Sequence, residues 1–276
     1  MNDRKVSELK KTALEIRKDI IRMAGVSRSY GLASASTVVE MLVFLYWSYM
    51  RVPASFDDES RDRFVLSKAS ATPALYACLA RLGFFSRDEL WNYRRLGATL
   101  QGYPDIRTPG IEAPGGIYGG GPGIACGISL GLRMSGNDAR VFCILGDGEL
   151  NEGVVWESVC NAARNRLGNL FLLFDLNSKP EDTPVFDMKN AVSLKSKLEA
   201  FGWQVRSADG HDFLSIESGF ADFDFRDTSP KALLAHTCTG RGLAALPQAE
   251  GSESAPISKD EMDQALSFLE REGEAE

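Results

Sequence analysis

Two short apolar runs with a helical stretch between them constrain this chain more than any other feature. Val141-Phe142-Cys143-Ile144-Leu145 is closed by Gly146-Asp147-Gly148, and Leu170-Phe171-Leu172-Leu173-Phe174 is closed by Asp175-Leu176-Asn177. Continuous apolar runs of strand length, joined through a helix, read as neighbouring parallel strands of one β-α-β crossover, buried on both faces. Ligands of open parallel sheets bind outside the carboxyl ends of the strands. Asp147 and Asn177, 30 positions apart, both fall there. A carboxylate and an amide oxygen suit a hard cation such as Mg²⁺, which usually shares its shell with a phosphate. Gly148 lets the backbone approach a phosphate closely at a helix start. The plainer reading is a strand-to-helix turn in which Asp147 is only a cap. Two strand ends at crossover spacing favour the metal-plus-phosphate site.

The rest of the chain alternates in the same way. Val6, Leu9, Ala13, Ile16, Ile20 and Ala24 share one helical face. Ser36-Thr37-Val38-Val39-Glu40 reads as a capping box opening a second, nearly all-apolar helix that reaches about Met50. Phe64-Val65-Leu66 reads as a strand, and 71–83 as a helix closed by Gly83. Residues 97–123 form a glycine- and proline-rich connection too long to be passive. A helix follows from Gly121 to Met134. After Asn177 comes an irregular stretch to Asp187, then a helix near 191–201 and strands at Trp203–Arg206 and Ala232–Ala235. The pattern predicts an α/β fold: a doubly wound, mostly parallel sheet flanked by helices. Residues 1–247 are expected to form this domain, and 248–276 a linker and C-terminal helix.

Composition narrows the function. A net charge of −7 argues against nucleic acid as the main partner. The apolar stretch from Val38 to Tyr46 is too short to span a bilayer and is interrupted by Glu40, so no membrane is expected. The five cysteines contain no Cys-x-x-Cys pair and read as buried free thiols of a cytoplasmic protein. The charged, amphipathic start does not read as a signal peptide. The only histidines are His211 and His236, and His236, inside an apolar strand, reads as a hydrogen-bonded structural residue. Gly115-Gly116-Ile117-Tyr118-Gly119-Gly120-Gly121 reads either as a flexible loop before close helix packing or as bare backbone against a cofactor.

The joint pattern resembles the N-terminal, diphosphate-binding part of the transketolases. Gly146-Asp147-Gly148 with Asn177 is similar to the thiamine diphosphate signature of that superfamily, and Glu149, Glu152, Gly153 and Trp156 extend the resemblance toward transketolase itself. Arg61 to Lys68, Pro73 to Tyr76, Phe201-Gly202-Trp203, Asp209 to Asp212 and Ala235-His236-Thr237 add to it, so that it runs from the first helix to about Gly242. The resemblance implies that Asp147 and Asn177, with a backbone carbonyl near Lys179, ligate Mg²⁺ or Ca²⁺. It implies that Gly148 donates its N–H to the diphosphate. It places Gly116, Tyr118, Gly146 and Glu149 at the cofactor and Glu152 near a subunit interface. It also implies a pyrimidine-binding partner domain carrying the glutamate that activates the cofactor. The few residues after Gly242 cannot hold that domain, so a separate partner subunit in an α2β2 assembly is expected.

The departures concern histidines. The transketolase motif Ser-Lys-Gly-His appears as Ser67-Lys68-Ala69-Ser70, and Gly-His-Pro as Gly102-Tyr103-Pro104. Histidines are also missing around Ser29-Tyr30-Gly31 and in Glu250 to Ser254. Imidazole is the group best suited to proton transfer near neutral pH. Cofactor binding is expected to survive with an altered pocket, where Ser70 and Tyr103 are candidates. The expected enzyme transfers a two-carbon unit in a specialised biosynthetic pathway, from a 2-oxoacid or modified ketose to a small or carrier-bound acceptor. The alternatives are one half of an ordinary ketose-phosphate transketolase or a non-catalytic, stabilising chain.

Overall fold

The apolar runs pair as a parallel sheet. In the computed structural model Arg63–Leu66 (β1), Val141–Gly146 (β2), Leu170–Leu176 (β3), Gln204–Asp209 (β4) and Lys231–His236 (β5) lie in the order β1-β2-β3-β5-β4, every neighbour parallel. The structure describes residues 1–28, 32–53, 58–177, 193–243, 246 and 256–275. These fall into two compact units, one of Met1–Tyr49, Ser70–Pro114 and Cys238–Glu276, the other of Met50–Ala69 and Gly115–Thr237.

The first unit is helical. It contains Asp3–Ser27 (α1), Leu32–Ser36 (α2), Val39–Phe44 (α3, continued by a wider turn to Tyr49), Thr72–Arg81 (α4) and a closing helix, Lys259–Ala275. Helix α1 has its apolar face buried as its period demands. Two charged clusters lie in the interior of this unit. Arg17 pairs with Glu40 at 2.7 Å, and fully buried Asp19 accepts from Arg81 at 2.7 Å and Arg87 at 2.5 Å. The expected capping box does not form. Ser36 Oγ donates to the Ala33 carbonyl and Thr37 Oγ1 to that of Ser34, so both hydroxyls close α2 instead of opening α3. The apolar helical stretch is also longer than its sequence suggests. Leu32–Tyr49 is long and apolar enough to cross a membrane, and most of it is buried in the protein.

The second unit holds the whole sheet, with Gly121–Met134 (α5), Gly153–Arg164 (α6), Leu194–Ala200 (α7) and Phe213–Ala221 (α8). Strands β2, β3 and β5 are buried along nearly all their length, as a parallel sheet covered on both faces requires. Phe142 and Phe171 stack at 4.8 Å on neighbouring strands. Helix α8 has no counterpart in the expectations, because its glycine and serine content masks its period. Cys78, Cys126 and Cys143 are buried, whereas Cys160 and Cys238 are exposed, which corrects the reading of the thiols as a buried set.

Candidate functional site

The register of the sheet assembles the site. Gly146, the last residue of β2, lies opposite Asp175 of β3. One residue beyond is Asp147, and two residues beyond Asp175 is Asn177, so both stand past the carboxyl ends of adjacent strands. Each is half-buried. Asp147 opens a 3₁₀ turn, Asp147–Asn151, that leads into α6.

Asp175 decides how Asn177 is presented. It is fully buried and accepts from Lys68 Nζ at 2.5 Å, from Asn177 Nδ2 at 3.1 Å and from the Thr237 hydroxyl. An ionised carboxylate can only accept, so the NH₂ of Asn177 must face it. The Asn177 amide is thereby held through its NH₂. Lys68, Asp175 and Thr237 were missed as site residues. A lone acid near the end of an apolar strand was the available signal, because a carboxylate there needs partners.

Glu149 braces the loops around this point. It is 1% exposed, its Oε1 accepts from the Gly119 N–H at 3.0 Å and from the Ser67 hydroxyl, and its Oε2 accepts from the Gly146 N–H at 2.7 Å. Ser67 in turn accepts from the Gly121 N–H at 3.2 Å. One carboxylate thus ties together the end of β1, the end of β2 and the glycine loop before α5. Placed among the cofactor residues by sequence, Glu149 is saturated by protein donors and acts on the site through the loops it holds.

Glycine is required at several of these positions. Gly116 has φ +102° and Gly119 φ +72°, and a Cβ on Gly119 would meet Glu152 at 2.9 Å. A Cβ on Gly148 would collide with the Tyr118 hydroxyl. Tyr118 is itself exposed, and its phenol is pushed above its usual range by burial first and then by the negative charges of Glu149, Asp147 and Glu152. The space over Gly148 is filled by the Tyr118 hydroxyl, the far end of an exposed side chain. Lys179 and the histidine-lacking segments at 29–31 and 250–254 lie outside the described residues. Ser70, which is exposed, and Tyr103, whose carbonyl accepts from Tyr76 at 2.9 Å, belong to the first unit. The His236 side chain is exposed at the end of β5, so it is not a core histidine.

Among the described residues no group of three or more His, Cys, Asp or Glu side chains could hold a metal by itself. A cation here would complete its shell with main-chain and phosphate oxygens, which is how Mg²⁺ is commonly held. Asp147 and Asn177 beyond adjacent strand ends, with the movable Tyr118 side chain over Gly148, fit such a group.

The sequence signature described as "Transketolase, thiamine diphosphate binding domain" matches residues 29–272. The chain belongs to this transketolase family. Transketolase-like protein 2 of Homo sapiens is 33% identical to it over 96% of the chain and 43% of the relative. One named subunit of the apulose-4-phosphate transketolase of Phocaeicola vulgatus is 29% identical over 83% of the chain and 82% of the relative. The solved transketolase of Campylobacter jejuni superposes with a TM-score of 0.82 at 26% identity, over 98% of this chain and 43% of that one. The chain spans about two fifths of the length of the human and mouse transketolase relatives it matches. In this transketolase-family chain, Asp147 and Asn177 stand just beyond the carboxyl ends of adjacent parallel strands.

Proposed function

We propose that this chain is the diphosphate-binding subunit of a split, thiamine diphosphate-dependent transketolase that moves a two-carbon unit between carbonyl compounds. The observation that carries the reading is the pair Asp147 and Asn177 beyond adjacent parallel strands, with the Asn177 amide set by Asp175. In this reading Asp147 and Asn177, with a main-chain carbonyl near Lys179, hold Mg²⁺ or Ca²⁺. The Gly148 N–H receives a diphosphate oxygen, and Gly116 and Tyr118 line the cofactor. Gly146 and Glu149 keep that backbone in place without rearrangement on binding, which is what makes a preorganised site effective. When bound, thiamine diphosphate supplies the electron sink for cleaving a bond next to a carbonyl.

A pyrimidine-binding, C-terminal transketolase-like chain completes the enzyme as α2β2 and contributes the activating glutamate. The Phocaeicola relative supports this, since its name makes it one part of a transketolase built from several chains and the match covers most of both. The donor is a non-standard one. Hydroxyls at Ser70 and Tyr103 occupy the positions of family histidines, and a hydroxyl lacks the proton-transfer capacity of imidazole near neutral pH. A 2-oxoacid donor tolerates this best, because loss of CO₂ requires no base at a sugar hydroxyl. The relative named for apulose 4-phosphate favours a sugar phosphate as the second reading.

Calorimetry of the chain with its partner tests the cofactor: binding of thiamine diphosphate should require Mg²⁺ and vanish in Asp147→Ala. Undiminished binding in excess chelator overturns it. A side-by-side assay of pyruvate and xylulose 5-phosphate decides the donor, and a clear preference for the pentose phosphate refutes the 2-oxoacid.

A further inference from the structure

The space that the proposed diphosphate needs is occupied by the chain's own Tyr118. A Cβ built on Gly148 would collide with the Tyr118 hydroxyl, so that hydroxyl lies where the missing side chain leaves the Gly148 backbone uncovered. Glycine is used at such a place to let a ligand come close to the main chain. A phenol and a phosphate oxygen cannot share that space.

The backbone under Tyr118 is fixed, and its side chain is not. Ile117 to Gly120 form a tight turn, closed by the Gly120 N–H on the Ile117 carbonyl at 3.0 Å. Gly119, the third residue of the turn, has φ +72°, the left-handed value that a type II turn gives to glycine. The Gly119 N–H is tied to buried Glu149 at 3.0 Å and the Gly121 N–H to Ser67 at 3.2 Å. Tyr118 itself is 59% exposed. Its hydroxyl makes no hydrogen bond among the described residues, and the carboxylates of Glu149, Asp147 and Glu152 act on it only through space. A neutral phenol sits among those charges without repulsion, whereas a diphosphate enters only together with its cation. Exposed side chains change rotamer within about nanoseconds, so Tyr118 can leave Gly148 without the loop opening.

We infer that Tyr118 is a displaceable plug of the diphosphate site: its hydroxyl covers Gly148 while the site is empty and swings into solvent, on a fixed loop, when a diphosphate takes its place. The inference rests on the proposed function, which assigns the diphosphate to Gly148. The plug lowers the apparent affinity by the fraction of chains in which Gly148 is uncovered. With the uncovered state populated at about 10% or less, association is slowed about tenfold or more.

The chain is combined with its partner subunit, and binding of thiamine diphosphate with Mg²⁺ is followed by stopped-flow fluorescence. Tyr118→Phe removes the hydroxyl and keeps the ring. The association rate should rise about tenfold while the dissociation rate changes by less than about twofold. A residue that only touches the bound cofactor gives the opposite split, an unchanged association rate and faster dissociation. A second arm reads the contact without any ligand. With 3-fluorotyrosine in this chain alone, the fluorine resonance lost in Tyr118→Phe is that of residue 118. It should move in ligand-free Gly148→Ala, where a methyl takes the place of the hydroxyl, and move in the native chain when thiamine diphosphate and Mg²⁺ are added. An association rate unchanged or lowered in Tyr118→Phe overturns the plug, as does a resonance unmoved by Gly148→Ala or by the cofactor. Those results leave the proposed function standing, because binding itself persists. Absence of Mg²⁺-dependent binding in the native chain and in Tyr118→Phe alike overturns the proposed function and the plug with it.

Discussion

Replacing Asp175 with Asn separates the two tasks of this buried carboxylate. The substitution keeps the volume and still offers an acceptor to Thr237. It also sets an NH₂ or a neutral oxygen against the Lys68 ammonium, now 2.5 Å from a carboxylate oxygen and with its side chain only 9% exposed. Removing one partner of a buried ion pair costs about 3–5 kcal/mol, because the other charge is left without compensation. Against a total stability of about 5–15 kcal/mol this is a large share, readable as a lowered urea midpoint. Asp175→Asn/Lys68→Met removes the orphaned charge and should recover most of the loss, since replacing a buried pair by neutral groups is often close to neutral. Its second task does not recover. With Asn177 no longer held through Nδ2, the metal-dependent affinity for thiamine diphosphate should fall about 10- to 100-fold in both variants, the usual effect of losing a partner that orients a ligand. Urea unfolding and calorimetry with Mg²⁺ read the two effects apart. A stability loss under about 1 kcal/mol in the single variant would show that the pair is solvated and refute the reasoning. Full cofactor affinity in the double variant would refute the positioning of Asn177.

Three further outcomes follow from the same geometry. Gly148→Ala collides only with the movable Tyr118 hydroxyl, so it should change stability by under about 1 kcal/mol in urea unfolding while calorimetry shows clearly weaker diphosphate binding. Gly121→Ala sets its Cβ against both the side chain and the backbone of Ser67, which cannot yield, and should cost about 1–3 kcal/mol by the same assay. Burial pushes the Cys126 thiol up to about 12 and the Cys143 thiol well above its usual value, so thiolate-selective alkylation of the native chain should label Cys160 and Cys238 alone, and all five cysteines in denaturant.

Local pattern was enough for the sheet and for placing Asp147 and Asn177 just beyond its strand ends. Val141–Leu145 and Leu170–Phe174 are apolar without interruption, and only a strand covered on both faces uses such a run. The turn residues after them marked where the strands end, and so where Asp147 and Asn177 stand. The helix Gly121–Met134 was legible from its own period and its glycine-proline start. The hydroxyls of Ser36 and Thr37 show the limit of that method, since the same residues can open one helix or close another and only the packed chain chooses.

What lay beyond the sequence is the set of contacts between residues far apart in it. Lys68 meets Asp175 across 107 positions, Thr237 meets Asp175 across 62, and Ser67 meets Glu149 across 82. No periodicity encodes such pairs, because they form only when parallel strands bring their carboxyl ends to one edge of the sheet. The sequence by itself determined which residue types stand at the strand ends, since strand ends are set by local pattern. The tertiary structure alone decided that a buried acid holds the Asn177 amide through its NH₂ and that a second acid holds the glycine loop, since burial and hydrogen-bond demand are properties of the assembled chain.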